Sequence, residues 1–277
     1  MLADYYSIEK TLKRKGYVVG AMDDDSRVIV ASDEMYELLK SKSRRRILRA
    51  VYLEACRDVT QIRDKYSNLD EQKIIEILNE FSGAGALETD GDSVCPLSAR
   101  DLGVTFEWFM AEVVRRELSG VAAFGVRVKE LSIGGDFDVI GRLEDVVLYI
   151  ECKSGSLGNI TEAQISEFIE RDGELSPDLT LFVVDTDGLT EDFKSRWVEA
   201  GWRDRGMEEC RPKLREIKGR GRFYEASSSK FVVTNGRNLI ANIRLAVNHH
   251  HRFVKPFAML GPSDVGLRQI YDVYEED

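Results

Sequence analysis

Five consecutive apolar residues, Val146, Val147, Leu148, Tyr149 and Ile150, run straight into Glu151, Cys152 and Lys153, and this junction constrains the chain more than any other. An apolar run without alternation suits a strand buried on both faces, as in layered α/β folds. Side chains alternate along a strand with period two, so Glu151 and Lys153 share a face at its end. Charges there need partners, because an uncompensated ion in the interior costs several kcal/mol. The alternative is that both side chains reach solvent just past the sheet edge. Immediately upstream, the segment GGDFDVI places Asp138 at the end of a second strand.

Two carboxylates and a lysine on adjacent strand ends are the residue types that phosphodiester cleavage needs. The substrate is an anion, so attack by hydroxide calls for a cation to neutralise charge developing on phosphorus, and Mg²⁺ held by hard oxygen ligands serves. Asp138 and Glu151 would supply carboxylates. Lys153, two residues beyond Glu151, can orient or deprotonate the attacking water.

Gly134 to Gly155, GGDFDVIGRLEDVVLYIECKSG, resembles the core of the PD-(D/E)XK phosphodiesterase superfamily, the restriction-endonuclease-like fold. Asp138 matches the motif's Asp, and Glu151-Cys152-Lys153 its (D/E)-x-K. Within the superfamily the segment is most similar to archaeal Holliday-junction resolvases, Mrr-like enzymes and the nuclease domains of CRISPR ancillary effectors. The motif's proline is replaced by Phe137. The resemblance implies a mixed α/β sheet flanked by helices, Mg²⁺ or Mn²⁺ as cofactor, and a Cys152 backbone carbonyl facing the metal. It also implies a dimer, since the superfamily often makes paired cuts with paired sites.

The flanks bear on the same site. A helical pattern opens at Gly103-Val104-Thr105-Phe106-Glu107 and runs through Leu118, with Phe106, Met110, Val113, Val114 and Leu118 as its apolar arc. By resemblance, Glu107 would match a metal-binding glutamate on the first helix. Glu117 also falls near the arc, so position alone does not single out Glu107. After the motif, Thr161-Glu162-Ala163-Gln164 starts another helix. Some relatives place a glutamine there that contacts the site, but Thr-x-x-Gln is also a capping box.

Further on, Leu179 to Asp185 reads as a buried strand, Leu189 to Trp202 as a helix with Phe193, Trp197 and Val198 on its apolar side, and Lys230 to Thr234 as a strand. Asn235-Gly236 then makes a turn into a helix from about Leu239 to Asn248. Asp185 and Asp187 flank a strand end and can be read as metal ligands, but the turn Asp-Thr-Asp-Gly, where those residue types suit the backbone, is the simpler reading. The expected organisation is two domains, residues 1–100 and 101–277.

In the first of these, residues 34–99 follow the order helix, shorter helix, helix, strand pair, with Asp90-Gly91 as the turn, which resembles a winged helix-turn-helix. Its third helix carries Asp70, Glu71, Glu76 and Glu80, a face that repels phosphates. Basic charge sits instead on its first helix, at Lys40, Lys42, Arg44, Arg45, Arg46 and Arg49. Such a domain either docks on DNA unconventionally or mediates protein contacts. Ahead of it lie a short helix, Ser7 to Lys15, and an expected hairpin through Arg27-Val28-Ile29-Val30.

With net charge −10 and pI near 5.1, the chain does not bind polyanions in bulk, so contacts to nucleic acid must come from local patches. Between Arg203 and Arg222 eight basic residues face four acidic ones, beside Trp202, Phe223 and Tyr224. That segment suits backbone contact and base stacking, or a solvated connector. No stretch reaches bilayer-crossing length and no signal-peptide pattern opens the chain, so a cytoplasmic location is expected. Cys56, Cys95, Cys152 and Cys210 are widely spaced, which argues against a zinc knuckle or disulfide framework. Consecutive His249, His250 and His251 point in different directions and cannot share one ion. No nucleotide-binding glycine pattern is present. The expectation is a metal-dependent nuclease, with DNA favoured over RNA. The alternatives are a ribonuclease and a non-catalytic binding protein on a nuclease-like fold.

Overall fold

A computed structural model describes residues 2–129, 131–134, 136–205, 214–217, 223–227, 229–236 and 238–254. Its centre is an eight-stranded mixed sheet of strands β1 (Val18–Ala21), β4 (Val121–Lys129), β5 (Asp136–Leu143), β6 (Val146–Lys153), β7 (Leu179–Val184), β10 (Lys230–Thr234), β9 (Phe223–Ser227) and β8 (Arg215–Glu216), in that spatial order. Strands β4, β5 and β6 form an antiparallel meander, while β6, β7 and β10 run parallel. The apolar run Val146–Ile150 is buried in full, as its lack of alternation requires in a strand covered on both faces.

Helices cover both faces. On one lie α1 (Leu2–Arg14), α7 (Glu162–Leu175) and α8 (Glu191–Arg205), whose Phe168, Phe193 and Trp197 interlock with Tyr149 and Phe182 of the sheet. In α8 the apolar side is Phe193, Trp197 and Ala200, with Val198 only partly covered. On the other face lie α6 (Leu102–Glu117) and α9 (Leu239–His249). Over α6 sit α2 (Asp33–Leu39), α3 (Lys42–Tyr52), α4 (Val59–Lys65), α5 (Glu71–Gly83) and the hairpin β2 (Leu87–Asp90)–β3 (Ser93–Pro96). Helix α6 is thus enclosed from two sides, and one continuous apolar cluster runs from α2–α5 through Phe106, Phe109 and Val113 to the sheet.

Two local expectations are corrected. Residues 35–55, expected as the first helix of this domain, do not form one helix, because Ser41 adopts extended backbone and separates α2 from α3. The break leaves carbonyls at the end of α2 without helical partners. Arg45 takes them up, donating from Nη1 to Leu39 O at 2.5 Å and Lys40 O at 3.1 Å. Residues 27–30 form no hairpin. A 3₁₀ turn (Asp25–Arg27) leads into buried Val28 and Ile29, whose backbone is satisfied by Thr105 Oγ1 and the Arg100 guanidinium. The strand of this first segment is β1, which borders the sheet beside β4. Of the basic segment 203–222, residues 206–213 and 218–222 lie outside the described residues, and between them Arg215–Glu216 pairs with β9. Among the described residues no helix is long and apolar enough to cross a membrane.

Candidate active site

Asp138 and Glu151 approach each other because the β5–β6 ladder ends between them. The register runs back as far as Val139↔Ile150, and one step beyond, the Asp138 carboxylate replaces a backbone acceptor, taking the Cys152 amide at 2.7 Å. The neighbouring strand shows why the ladder opens. Gly125 of β4 has φ +55°, a left-handed conformation that costs glycine little, and a Cβ there would collide with the Asp23 carboxyl. Across this point the paired residues change face. Phe124 and Val139 join the α6 side, and Val126 and Phe137 the α7 side. Asp138 sits at the resulting splay, between the two helical layers.

Glu151 is 1% exposed and densely partnered. Lys153 Nζ donates to its Oε1 at 2.7 Å, the Tyr149 hydroxyl donates to Oε2, and Arg171 Nη1 of α7 stands 3.5 Å from Oε2. Arg171 is itself fixed by donation to the Asp136 carbonyl at 3.0 Å. Burial alone would lower the Lys153 ammonium, but the Glu151 and Asp138 charges outweigh it and hold its pKa above the ordinary value. Lys153 therefore stays charged at neutral pH.

Glu107 of α6 lies within electrostatic reach of these groups. Burial, then the charge of Asp138, and then Asp23, Asp101 and Glu151, push its pKa up to about 9. Burial and Glu151 likewise raise Asp138 to about 7, against the pull of Lys153, the Cys152 amide and Arg171. Glu117, the competing glutamate of α6, is engaged elsewhere: it accepts from the Tyr36 hydroxyl at 2.9 Å and pairs with Lys40 at 3.2 Å and with Arg244. Gln164 forms the capping box, its Oε1 accepting from Thr161 N at 2.9 Å while its own amide donates to Thr161 Oγ1 at 3.2 Å. The structure so brings Asp138 beside the Glu151–Lys153 pair, sets Glu107 within reach of their charge, and leaves Gln164 on its own helix cap.

Sequence reasoning missed Asp23, Tyr149 and Arg171. Tyr149 shares the strand face of Glu151 and Lys153 at i−2, a signal that alternation carries. Arg171 stands three residues after buried Phe168 on the covered side of α7, the face of Ile165 and Phe168. Asp23 has no signal, since only the pairing of β1 and β4 brings it to Gly125.

A divalent cation fits the chemistry of these donors in part. Hard carboxylate oxygens are present, and the raised pKa values of Asp138 and Glu107 mark a buried cluster short of positive charge. Glu151, by contrast, is held by Lys153, Tyr149 and Arg171. Among the described residues no three His, Cys, Asp or Glu side chains converge as a ready ligand set.

The titrations carry a sign. Unfolded carboxyls ionise near pH 4, whereas Asp138 and Glu107 keep their protons to about 7 and about 9, so the folded chain binds more protons between those limits. Without metal, stability should fall as pH rises from about 4 to about 9. Glu107→Gln removes part of this penalty. In EDTA it is expected to melt above wild type at pH 9, by an amount worth more than about 1 kcal/mol, and to match wild type near pH 4. A variant melting below wild type at pH 9 would contradict this placement of Glu107.

No family model matches the chain, and no curated protein matches it. Similar solved structures include protein VC1899 from Vibrio cholerae, at 17% identity and TM-score 0.42, covering 70% of this chain and 56% of that one. Another is Can2 from Sulfobacillus thermosulfidooxidans in complex with cyclic tetra-adenylate, at 12% identity and TM-score 0.48, covering 87% of this chain and 59% of that one. The chain therefore spans less than two thirds of the length of each.

Proposed function

We propose that the chain is a metal-dependent nuclease that hydrolyses phosphodiester bonds. The observation that carries this reading is Asp138 beside the Glu151–Lys153 pair at one splayed strand end, where burial and neighbouring charge raise the pKa of Asp138 and of Glu107. Asp138, Glu107 and Glu151, with the Cys152 carbonyl, would hold Mg²⁺ or Mn²⁺, which would supply charge neutralisation at phosphorus and an activated water. Lys153, kept as an ammonium, is suited to orienting water and stabilising developing charge, and not to removing a proton. Tyr149 and Arg171 fix the Glu151 carboxylate. DNA is the favoured substrate, and a homodimer the favoured assembly.

Calorimetric titration with Mn²⁺ tests the metal site. Wild type is expected to bind and, at pH 7, to release protons from Asp138 and Glu107, visible as heat that varies with the buffer's ionisation enthalpy. Asp138→Asn can still accept the Cys152 amide and should keep the fold, but should lose Mn²⁺ affinity by at least tenfold. Equal affinity in both proteins would remove Asp138 from the site.

One observation favours a second reading. The Lys153–Glu151–Arg171 arrangement satisfies Glu151 without metal, as it would in a non-catalytic binding protein that retains the fold. Absence of Mn²⁺ binding by wild type would favour that reading.

A further inference from the structure

The basic run of α3 lies against the same end of the sheet as the candidate site. Arg45 forks onto buried Asp185, from Nε to Oδ2 and Nη2 to Oδ1, both at 2.9 Å, and Arg49 Nη2 reaches Oδ2 at 3.1 Å. Asp185 follows β7, and its amide donates to the carbonyl of Lys153 at 3.0 Å. A narrow crevice is lined by Arg45, Arg49, Asp185, Ser154 and Phe106, and so lies between the neighbours in sequence of Lys153 and Glu107. One helical turn around α3, Lys42 and Arg46 hold Asp187, Arg46 at 3.1 Å. Four cationic side chains thus face two carboxylates here, in a chain of net charge −10. The two pairs differ in exposure. Asp185 is sealed, whereas the Asp187 side chain is 58% exposed and Lys42 and Arg46 are 26% exposed. Burial, followed by the Arg46 charge, lowers the Lys42 ammonium below its ordinary value against the opposing pull of Asp185.

We propose that Lys42 and Arg46 form a phosphate-binding step for a nucleic-acid backbone entering the candidate site, and that Asp187 occupies that step until a phosphate displaces it. The proposal rests on the nuclease reading, because it takes the strand end beside Lys153 as the place where substrate lies. A phosphodiester carries the same charge as the Asp187 carboxylate and likewise offers two charged oxygens to an arginine–lysine pair. An exposed ion pair is worth about 1 kcal/mol or less, so a backbone phosphate can exchange with Asp187 at small cost. The sealed Asp185 pair cannot exchange in this way, which leaves Arg45 and Arg49 as the scaffold. This chemistry is common to DNA and RNA, and the arms of the test separate them.

The test is fluorescence anisotropy in EDTA with labelled single-stranded DNA, duplex DNA and single-stranded RNA, over a series of salt concentrations. The proteins are wild type, Lys42→Gln/Arg46→Gln, Asp187→Asn and, as a control of equal charge change, Asp64→Asn on α4. The double variant is expected to bind its preferred strand roughly tenfold more weakly, with the slope of log affinity on log salt reduced by about 1.5 to 2. Asp187→Asn is expected to bind about threefold more tightly than Asp64→Asn. Unaltered affinity and slope in the double variant would overturn the proposal, as would an Asp187→Asn no tighter than its control. Failure to bind any strand by wild type would overturn it too. Cutting by wild type with Mg²⁺ or Mn²⁺, scored separately, reports on the nuclease reading alone: cutting with unaltered binding in the double variant sinks only the phosphate step.

Discussion

Asp185→Ala is expected to lower the unfolding free energy by about 3–5 kcal/mol, the largest stability change of any substitution considered. The Asp185 carboxylate is 2% exposed on its side chain and accepts from Arg45, Arg49 and the Asn235 amide at 2.7 Å. Its removal leaves the buried Arg45 guanidinium with only the α2 carbonyls and no counter-charge. Loss spreads beyond one pair, because this carboxylate joins α3 to β7 and to the segment after β10. Burial works against the charged form of Asp185, but Arg45 and Arg49 more than offset it and hold its pKa below the ordinary carboxylate value. The stabilisation is therefore present above about pH 4 and fades as pH falls through the lower, folded-state value. Urea unfolding of both proteins at pH 7 and at pH 3 should show a gap that narrows on acidification. A difference below about 1 kcal/mol at pH 7 would mean that the two arginines find other partners.

Lys153→Ala is expected to do the reverse, sparing the fold and removing activity. The lysine closes β6 with its side chain 21% exposed, and Glu151 retains Tyr149 and Arg171 when it is gone. Loss of a group that orients water or stabilises the transition state costs about 10²–10⁴ in rate. Thermal melting within a few degrees of wild type, together with that loss, separates a chemical role from a structural one. A variant that unfolds early would place Lys153 in the scaffold, since Glu151 would then depend on it for burial.

The parts of the site legible in the sequence are those set by local pattern. An unbroken apolar run fixes β6 as a doubly covered strand, period two puts Glu151 and Lys153 together, and the Thr161-x-x-Gln164 cap follows from helix-end chemistry. Helical spacing placed both Glu107 and Glu117 near one arc, and only the packing of Tyr36, Lys40 and Arg244 around Glu117 separates them. What could not be read depends on pairing between distant segments. Asp23 enters through the β1–β4 edge, and Arg171 through the way α7 lies over β5 and β6. The Asp-Thr-Asp-Gly turn was readable as backbone, but not the fact that its first carboxylate is buried under two arginines. For the same reason the sequence does not show that Asp185, Asp187 and Glu80 engage most of the basic run of α3. The break at Ser41 is by contrast local, as the carbonyls of Leu39 and Lys40 are taken up by Arg45 of the next helix.

The most direct measurement incubates wild type and Lys153→Ala with labelled single-stranded, duplex and branched DNA and with single-stranded RNA, each in Mg²⁺, Mn²⁺ or EDTA. The account predicts cutting by wild type in Mg²⁺ or Mn²⁺, none in EDTA, and a loss of at least 100-fold in Lys153→Ala. Absence of cutting by wild type on every strand and with either metal would contradict it, as would equal cutting by the two proteins.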